Sequence, residues 1–247
     1  MKLEKIVTWL DRTLDVAAFD DVSNNGIQVG RSEVGGQRSE VKVVAFAVDA
    51  SVKAVKAAAK AGAQLLVVHH GISWGGGIRR IEGGVYNVVK AAMDANLAIY
   101  ACHLPLDAHP VLGNNAQLAK LLGLKRIKPA FTYHGNVIGL TGVLENLENL
   151  ETLVPLEHLA TLKAPTRVGV CSGGAGEFAE EAKRLGCGLY VTGEASWGDV
   201  IAAENCGMEM VCAGHYETEV FGIRAVAKAL AKALKVKTVD LSRNGRI

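Results

Sequence analysis

Short aliphatic runs alternate with amphipathic stretches along this chain, and the alternation predicts strand–helix–strand units. The opening stretch places Leu3, Ile6, Val7, Leu10 and Leu14 at helical spacing. "VKVVAFAVD" (41–49) predicts a strand, and "SVKAVKAAAKAG" (51–62) a helix capped by Ser51 and stopped by Gly62. "QLLVV" (64–68) predicts a strand that hands over to His69 and His70, followed by a glycine-rich loop over 71–84. A helix at about 85–95, a strand over 96–102 and a helix over 113–123 complete the first half. The pattern loses clarity between 127 and 163, where 135–145 predicts a strand or hairpin arm and 146–162 helix on either side of Pro155. The opening rhythm then returns: strand 166–172, helix 176–186, strand 188–193, helix 196–207, strand 208–214, helix 217–234 and strand 236–241.

The two halves match in register. "AGAQLLVVHHGISWGG" lies over "LGCGLYVTGEASWGDV", with Gly62 opposite Gly186 and Ser73-Trp74-Gly75 answering Ser196-Trp197-Gly198 after one dropped residue. "NLAIYACHLPLD" lies over "GMEMVCAGHYETE", so that His103 meets His215, each followed four residues later by a carboxylate, Asp107 or Glu219. This is the signature of a duplicated β-α-β unit. It predicts an α/β fold of two similar interlinked units, mainly parallel strands with flanking helices. The expected division is 1–126, carrying His69, His70, His103 and Asp107, and 127–247, carrying His215 and Glu219, with the last segment able to pack back on the first unit.

Composition agrees with that class. Hydrophobic residues make up 49% and charged residues 21%, while aromatics at 5% leave the filling to alanine, valine and leucine, which suits helices on a buried parallel sheet. The 27 basic and 25 acidic residues nearly cancel, so bulk charge gives nucleic-acid binding no support, without excluding a local patch. The charged start does not resemble a signal peptide, no stretch approaches the roughly 20 apolar residues of a membrane span, and five cysteines without a C-x-x-C pair argue against a disulfide framework. A reducing cytoplasmic setting is the simplest expectation.

Ligands of parallel α/β sheets bind beyond the carboxyl ends of the strands. His69, His70, His103 and His215 all follow predicted strands, and Asp107 and Glu219 lie just beyond. A single histidine after a strand is usually a surface or hydrogen-bonded residue. Four at equivalent strand ends, with two carboxylates at matched offsets, point to metal. Six donors exceed what one tetrahedral site needs and suit two divalent ions sharing a bridging carboxylate. Mixed nitrogen and oxygen ligation suits Zn, Mn, Fe, Co or Ni and disfavours Cu(I). His109, His134 and His158 match nothing in the pattern and are expected to be solvated or structural; Cys102 and Cys212 are expected to be small buried strand residues.

"SNNGIQVG" (23–30), "VVHHG" (67–71), "HLPLDAHPVLGNNAQLA" (103–119), "VTGE" (191–194) and "AGHYETE" (213–219) together resemble the GTP cyclohydrolase I type 2 homologues, a Nif-three-like family of dinuclear-metal proteins. The resemblance spans nearly the whole chain, in the short form without an inserted domain; one departure is Asn24 where a proline often stands. It implies His69 and His70 as ligands, one to each ion, Asp107 on one ion, His215 on the other, and Glu219 as the bridge, with His103 a ligand or an outer donor in the same cluster. It also implies a toroidal homo-hexamer and hydrolytic opening of a nucleotide's purine ring by metal-activated hydroxide, with His103 and Glu219 as the groups that move protons. The alternative is a metal-bearing ring that binds a partner or nucleic acid without chemistry. "SWGGGIRR" (73–80) could offer backbone N–H groups and Arg79 and Arg80 to phosphates, but the phosphate-binding G-x-x-x-x-G-K-[ST] loop is absent.

Overall fold

The computed structural model describes residues 1–30, 40–153 and 162–244. The chain divides into two units, residues 1–106 with 223–247, and residues 107–222. The sequence pattern puts a division at 126/127 and allows the last segment to return to the first unit. The closing strand hydrogen-bonds into the first unit's sheet. The helix after residue 113 packs Leu118, Ala119 and Leu122 into the second unit's core.

The first unit is built on α1 (Leu3–Leu14), β1 (Gly26–Val29), β2 (Val43–Asp49), α2 (Val52–Lys60), β3 (Leu65–His70), α3 (Gly83–Asp94) and β4 (Ala98–Ala101). The chain returns to it with β10 (Lys237–Asp240). The sheet order is β1-β4-β3-β2-β10; β10, β2, β3 and β4 run parallel and β1 is antiparallel on β4. Ser51 caps α2 by accepting a hydrogen bond from the Ala54 N–H, and Gly62 follows at φ +72°, as the sequence predicts. One face of the sheet, with Ala45, Ala47, Leu66, Val68 and Ile99, packs against Ala54, Val55 and Ala58 of α2 and Val88 and Ala92 of α3. The alternate strand residues, Val44, Phe46, Leu65, Val67 and Tyr100, are buried too, and the Tyr100 hydroxyl donates to Asp11 of α1 at 2.7 Å. Burial on both faces is why these strands read as continuous aliphatic runs rather than as alternation.

The second unit contains α5 (Asn114–Leu121), which follows the short helix α4 (Leu104–Ala108), and then β5 (Lys125–Tyr133), β6 (Asn136–Leu144), β7 (Thr166–Gly174), α6 (Ala179–Arg184), β8 (Leu189–Glu194), α7 (Trp197–Cys206) and β9 (Glu209–Cys212). The 20-residue α8 (His215–Leu234) begins there, and the division between the units falls within it, after Gly222. The sheet order is β5-β6-β7-β8-β9, with β7, β8 and β9 parallel and the β5–β6 hairpin antiparallel. Its core sets Leu118 and Leu122 of α5 against Leu140, Val168, Val170, Leu189 and Val191. The trio β7-β8-β9 repeats the trio β2-β3-β4 in order and direction, the architecture a duplicated β-α-β unit requires.

Several expectations need correction. β3 runs through both histidines, which are its last two residues rather than the loop after it. β5 has no counterpart in the sequence reading: it lies at the sheet edge, its residues up to Ala130 are exposed or only partly covered, it carries Pro129, and so it shows no apolar alternation to find. Cys102 is buried as expected, but Cys212 is exposed because β9 is the other edge of its sheet. Residues 148–152 form a 3-10 turn rather than an α-helix, and the predicted helical stretch from Pro155 to 161 lies outside the described residues. Among the described residues no helix is long and apolar enough to cross a membrane.

Candidate metal centre

In the first unit the parallel register sets the geometry. β2 and β3 pair Asp49 with His70 at their carboxyl ends, and β3 pairs Val68 with Ala101 of β4, so that His103 emerges two residues beyond β4 on the same rim. His69 is fully buried and His70 partly so, as alternation along a strand demands. The three rings nevertheless lie together: the centroids of His69 and His70 are 4.6 Å apart, those of His69 and His103 5.1 Å, and those of His70 and His103 5.7 Å. One ligand nitrogen from each lies within 4.8 Å of the others.

Each imidazole is held through its Nδ1. His69 Nδ1 is 2.9 Å from the Cys102 carbonyl, His70 Nδ1 is 2.9 Å from Asp49 Oδ1, and His103 Nδ1 is 2.9 Å from Asp21 Oδ1. A carbonyl or carboxylate oxygen can only accept, so each Nδ1 carries the proton and donates. In the neutral ring that tautomer puts the lone pair on Nε2. Three imidazoles so oriented match the arrangement that metal-ligating histidines adopt.

Asp21 is the most heavily bonded of these braces. Besides His103 it accepts from the Ser23 N–H at 3.0 Å, the Asn25 side-chain amide at 2.8 Å and the Leu104 N–H at 2.9 Å. Burial pushes its carboxyl upward, but the His103 hydrogen bond and charge together with the Ser23 and Asn25 donors outweigh burial and leave its pKa below the usual aspartate value. Asn25 Oδ1 also accepts the His103 N–H at 2.8 Å, so residues 21–25 fasten His103 by ring and backbone alike.

The second unit holds a different donor set. His215 opens α8; its Nδ1 is 3.0 Å from Glu194 Oε1 at the end of β8, and its Nε2 is 3.1 Å from Glu219 Oε1 one helical turn on. Glu219 and Asp107 are both buried. Asp107 Oδ1 accepts from the Asn114 amide at 2.8 Å and the Ser172 hydroxyl at 3.0 Å, while Asn114 Oδ1 accepts the Gly222 N–H at 2.7 Å. Asn115 Oδ1 accepts the Ser172 N–H at 2.7 Å, and Thr218 Oγ1 accepts the Gly173 N–H at 3.1 Å, tying α5 and α8 to the end of β7.

The three imidazoles of the first unit, and the imidazole and two carboxylates of the second, are each at least partly shielded, and each set has a donor chemistry that fits a borderline divalent cation. His109 stands outside it: its Nδ1 accepts the N–H groups of Val111 and Leu112 at 3.1 and 2.9 Å, a structural role. His134 sits at φ +47° in the tight turn joining β5 to β6, and His158 lies outside the described residues. The sequence reading missed the braces Asp21, Asn25, Asp49, Glu194, Asn114 and Ser172. Asn25, Glu194 and Asn114 stand inside the motif stretches that carry the family resemblance, and Asp49 ends a predicted strand; Asp21 and Ser172 have no such signal.

Comparison with known proteins finds relatives along nearly the whole chain. A profile of the Duf34/NIF3 (NGG1p interacting factor 3) family matches residues 1–244. A Pyrococcus horikoshii protein named GTP cyclohydrolase 1 type 2 homolog is 39% identical over 250 residues, covering 97% of each chain. An Archaeoglobus fulgidus protein of the same name is 38% identical, covering 98% of each. Among solved structures, the protein ybgI superposes with a TM-score of 0.84 at 31% identity, covering 98% of each chain. The Thermus thermophilus protein TTHA1606 does so with a TM-score of 0.77 at 29% identity, again covering 98% of each. With matches of this extent, the chain belongs to the Duf34/NIF3 family.

Proposed function

We propose that this protein is a dinuclear divalent-metal-dependent hydrolase acting on a nucleotide, with ring opening of the cyclohydrolase type as the reaction. The observation that carries the reading is the trio His69, His70 and His103, each with Nδ1 committed to an oxygen acceptor at 2.9 Å. Imidazoles that merely fill a rim have no need of three separate braces in one orientation. The carboxylates Asp107 and Glu219 and the ring of His215 in the second unit bring the donor count to six, a number that suits two ions. Bound divalent ions would supply hydroxide near neutral pH and polarise the bond under attack.

The chain's own groups then have defined tasks. Asp49, Asp21 and the Cys102 carbonyl hold three rings in fixed orientations by accepting from their Nδ1 atoms, which lowers the cost of assembling the site. Glu219, buried beside His215, and His103 are the groups that accept and return protons. The curated relatives' printed name points to a guanine nucleotide as the first compound to try. A toroidal homo-hexamer belongs to the same proposal and rests on the family resemblance.

Two measurements test it. Elemental analysis of the purified protein should find about two divalent ions per chain. Incubation of the loaded protein with GTP, phosphoesters and cyclic amides should give turnover that Glu219→Gln removes. Metal without any turnover would leave a binding protein, and absence of metal would overturn the reading entirely. Sedimentation reads the hexamer separately.

A further inference from the structure

Trp74 is placed where the metal chemistry alone does not require it. Its indole lies edge-on to the His103 ring at 5.1 Å and 78°, and 6.0 Å from the His70 ring. It is nevertheless 38% exposed. A tryptophan left this open usually wanders among rotamers, but here the backbone and the indole nitrogen are both tied. The indole N–H donates to the Gly71 carbonyl at 3.1 Å. Ser23 and Trp74 form an isolated antiparallel bridge, the Gly75 N–H donates to the Val22 carbonyl at 2.6 Å, and the Asn24 N–H donates to the Ser73 carbonyl at 3.1 Å. Just before it, Gln28 Oε1 accepts the N–H groups of Ile72 and Ser73 at 2.6 and 3.0 Å. The segment that braces His103 through Asp21 and Asn25 therefore also holds Trp74.

We infer that Trp74 is a stacking platform that positions a planar nitrogen-heteroaromatic ring, such as a nucleobase, beside the histidine cluster. A rigid, partly open aromatic face contributes stacking at little entropic cost, and base–aromatic stacking tolerates any base because each has a π-face. The inference rests on the reading of the cluster as the reaction site. The duplicated motif supplies an internal control: Trp197 is 76% exposed at the first position of α7, and among the described residues it meets no aromatic ring.

The chain has three tryptophans, so the double substitution Trp9→Phe with Trp197→Phe leaves Trp74 as the sole indole emitter. Titrating that metal-loaded protein with guanosine should quench its fluorescence saturably, whereas inorganic triphosphate should not. In equilibrium dialysis against the wild-type chain, Trp74→Ala should weaken guanosine binding about tenfold or more, Trp74→Phe should recover part of the loss, and Trp197→Ala should change nothing. Elemental analysis of the same samples should show unchanged metal in every variant. Guanosine binding that survives Trp74→Ala, or quenching by triphosphate alone, overturns the platform while leaving the metal reading intact. Quenching by guanosine in protein that never holds metal overturns the metal reading and leaves the platform standing.

Discussion

β3 and β8 are the middle strands of the equivalent trios β2-β3-β4 and β7-β8-β9, each six residues long, yet they deliver chemistry differently. Aligned from Leu65 and Leu189, His69 falls opposite Gly193 and His70 opposite Glu194. In the first unit the strand itself carries the donors. In the second it carries none: a Cβ on Gly193 would stand 2.6 Å from the Gly173 carbonyl, 2.7 Å from Thr218 Oγ1 and 2.8 Å from the His215 Cα. The missing side chain lets the first turn of α8 settle onto the strand end, and that helix supplies His215 and Glu219. Glu194, where the first unit has a donor, is the brace for His215 instead. The duplicated scaffold thus keeps its strand positions while a different element bears the candidate metal-binding groups in each unit.

The largest effects should come from removing a donor. His69→Ala or Glu219→Gln should lower metal retained after dialysis by more than the roughly 10–100-fold that losing an orienting partner costs. If the two sets serve one pair of ions, either substitution should reduce both equivalents; if only the damaged unit loses metal, the sets work separately. Next in size, Gly193→Ala should destabilise the protein by about 1–3 kcal/mol in chemical denaturation, because the colliding atoms belong largely to backbone. His69→Gly, the reciprocal change, should cost metal without any such collision. Equal stability of Gly193→Ala and the wild type would sink the close-approach account.

The braces come third. Asp21→Asn, Asp49→Asn and Glu194→Gln should each weaken metal binding within about 10–100-fold, in that descending order, since Asp21 is 2% exposed in its side chain, Asp49 46% and Glu194 64%. Isothermal titration with Zn²⁺ checks the ranking, and a reversed order would show that solvent screening does not set it. Smallest are the helix caps that open α2 and α7. Ser51 accepts from the Ala54 N–H, while Ser196 forms a capping box with Asp199. Ser51→Ala and Ser196→Ala should each cost about 1 kcal/mol, read by thermal unfolding, since each removes one side-chain acceptor while the Ser196 backbone N–H can still donate to Asp199.

Much of this was legible in the chain. The aliphatic runs of β2, β3, β4, β7 and β8 announced these parallel strands and the duplication that relates them, because strands buried on both faces must be apolar throughout. The hairpin strand β5 was not, since an edge strand facing solvent leaves no such imprint. Among the donors, His103 and His215 stood out by their matched offsets to Asp107 and Glu219. The braces did not: Asp21 and Ser172 look like any polar loop or strand residue until one asks what lies beside them.

Sequence alone therefore determined the α/β class, the repeated unit and the residue types that can bind metal, all of which depend on local periodicity and on spacing within one element. Tertiary structure decided which oxygen braces each imidazole and through which nitrogen, and what holds Asp107. Those bonds join Asp21 to His103, Asp49 to His70, Glu194 to His215 and Ser172 to Asp107, partners 21 to 82 residues apart. Contacts across such separations arise from strand register and the crossing of segments, and no periodicity along the chain encodes them.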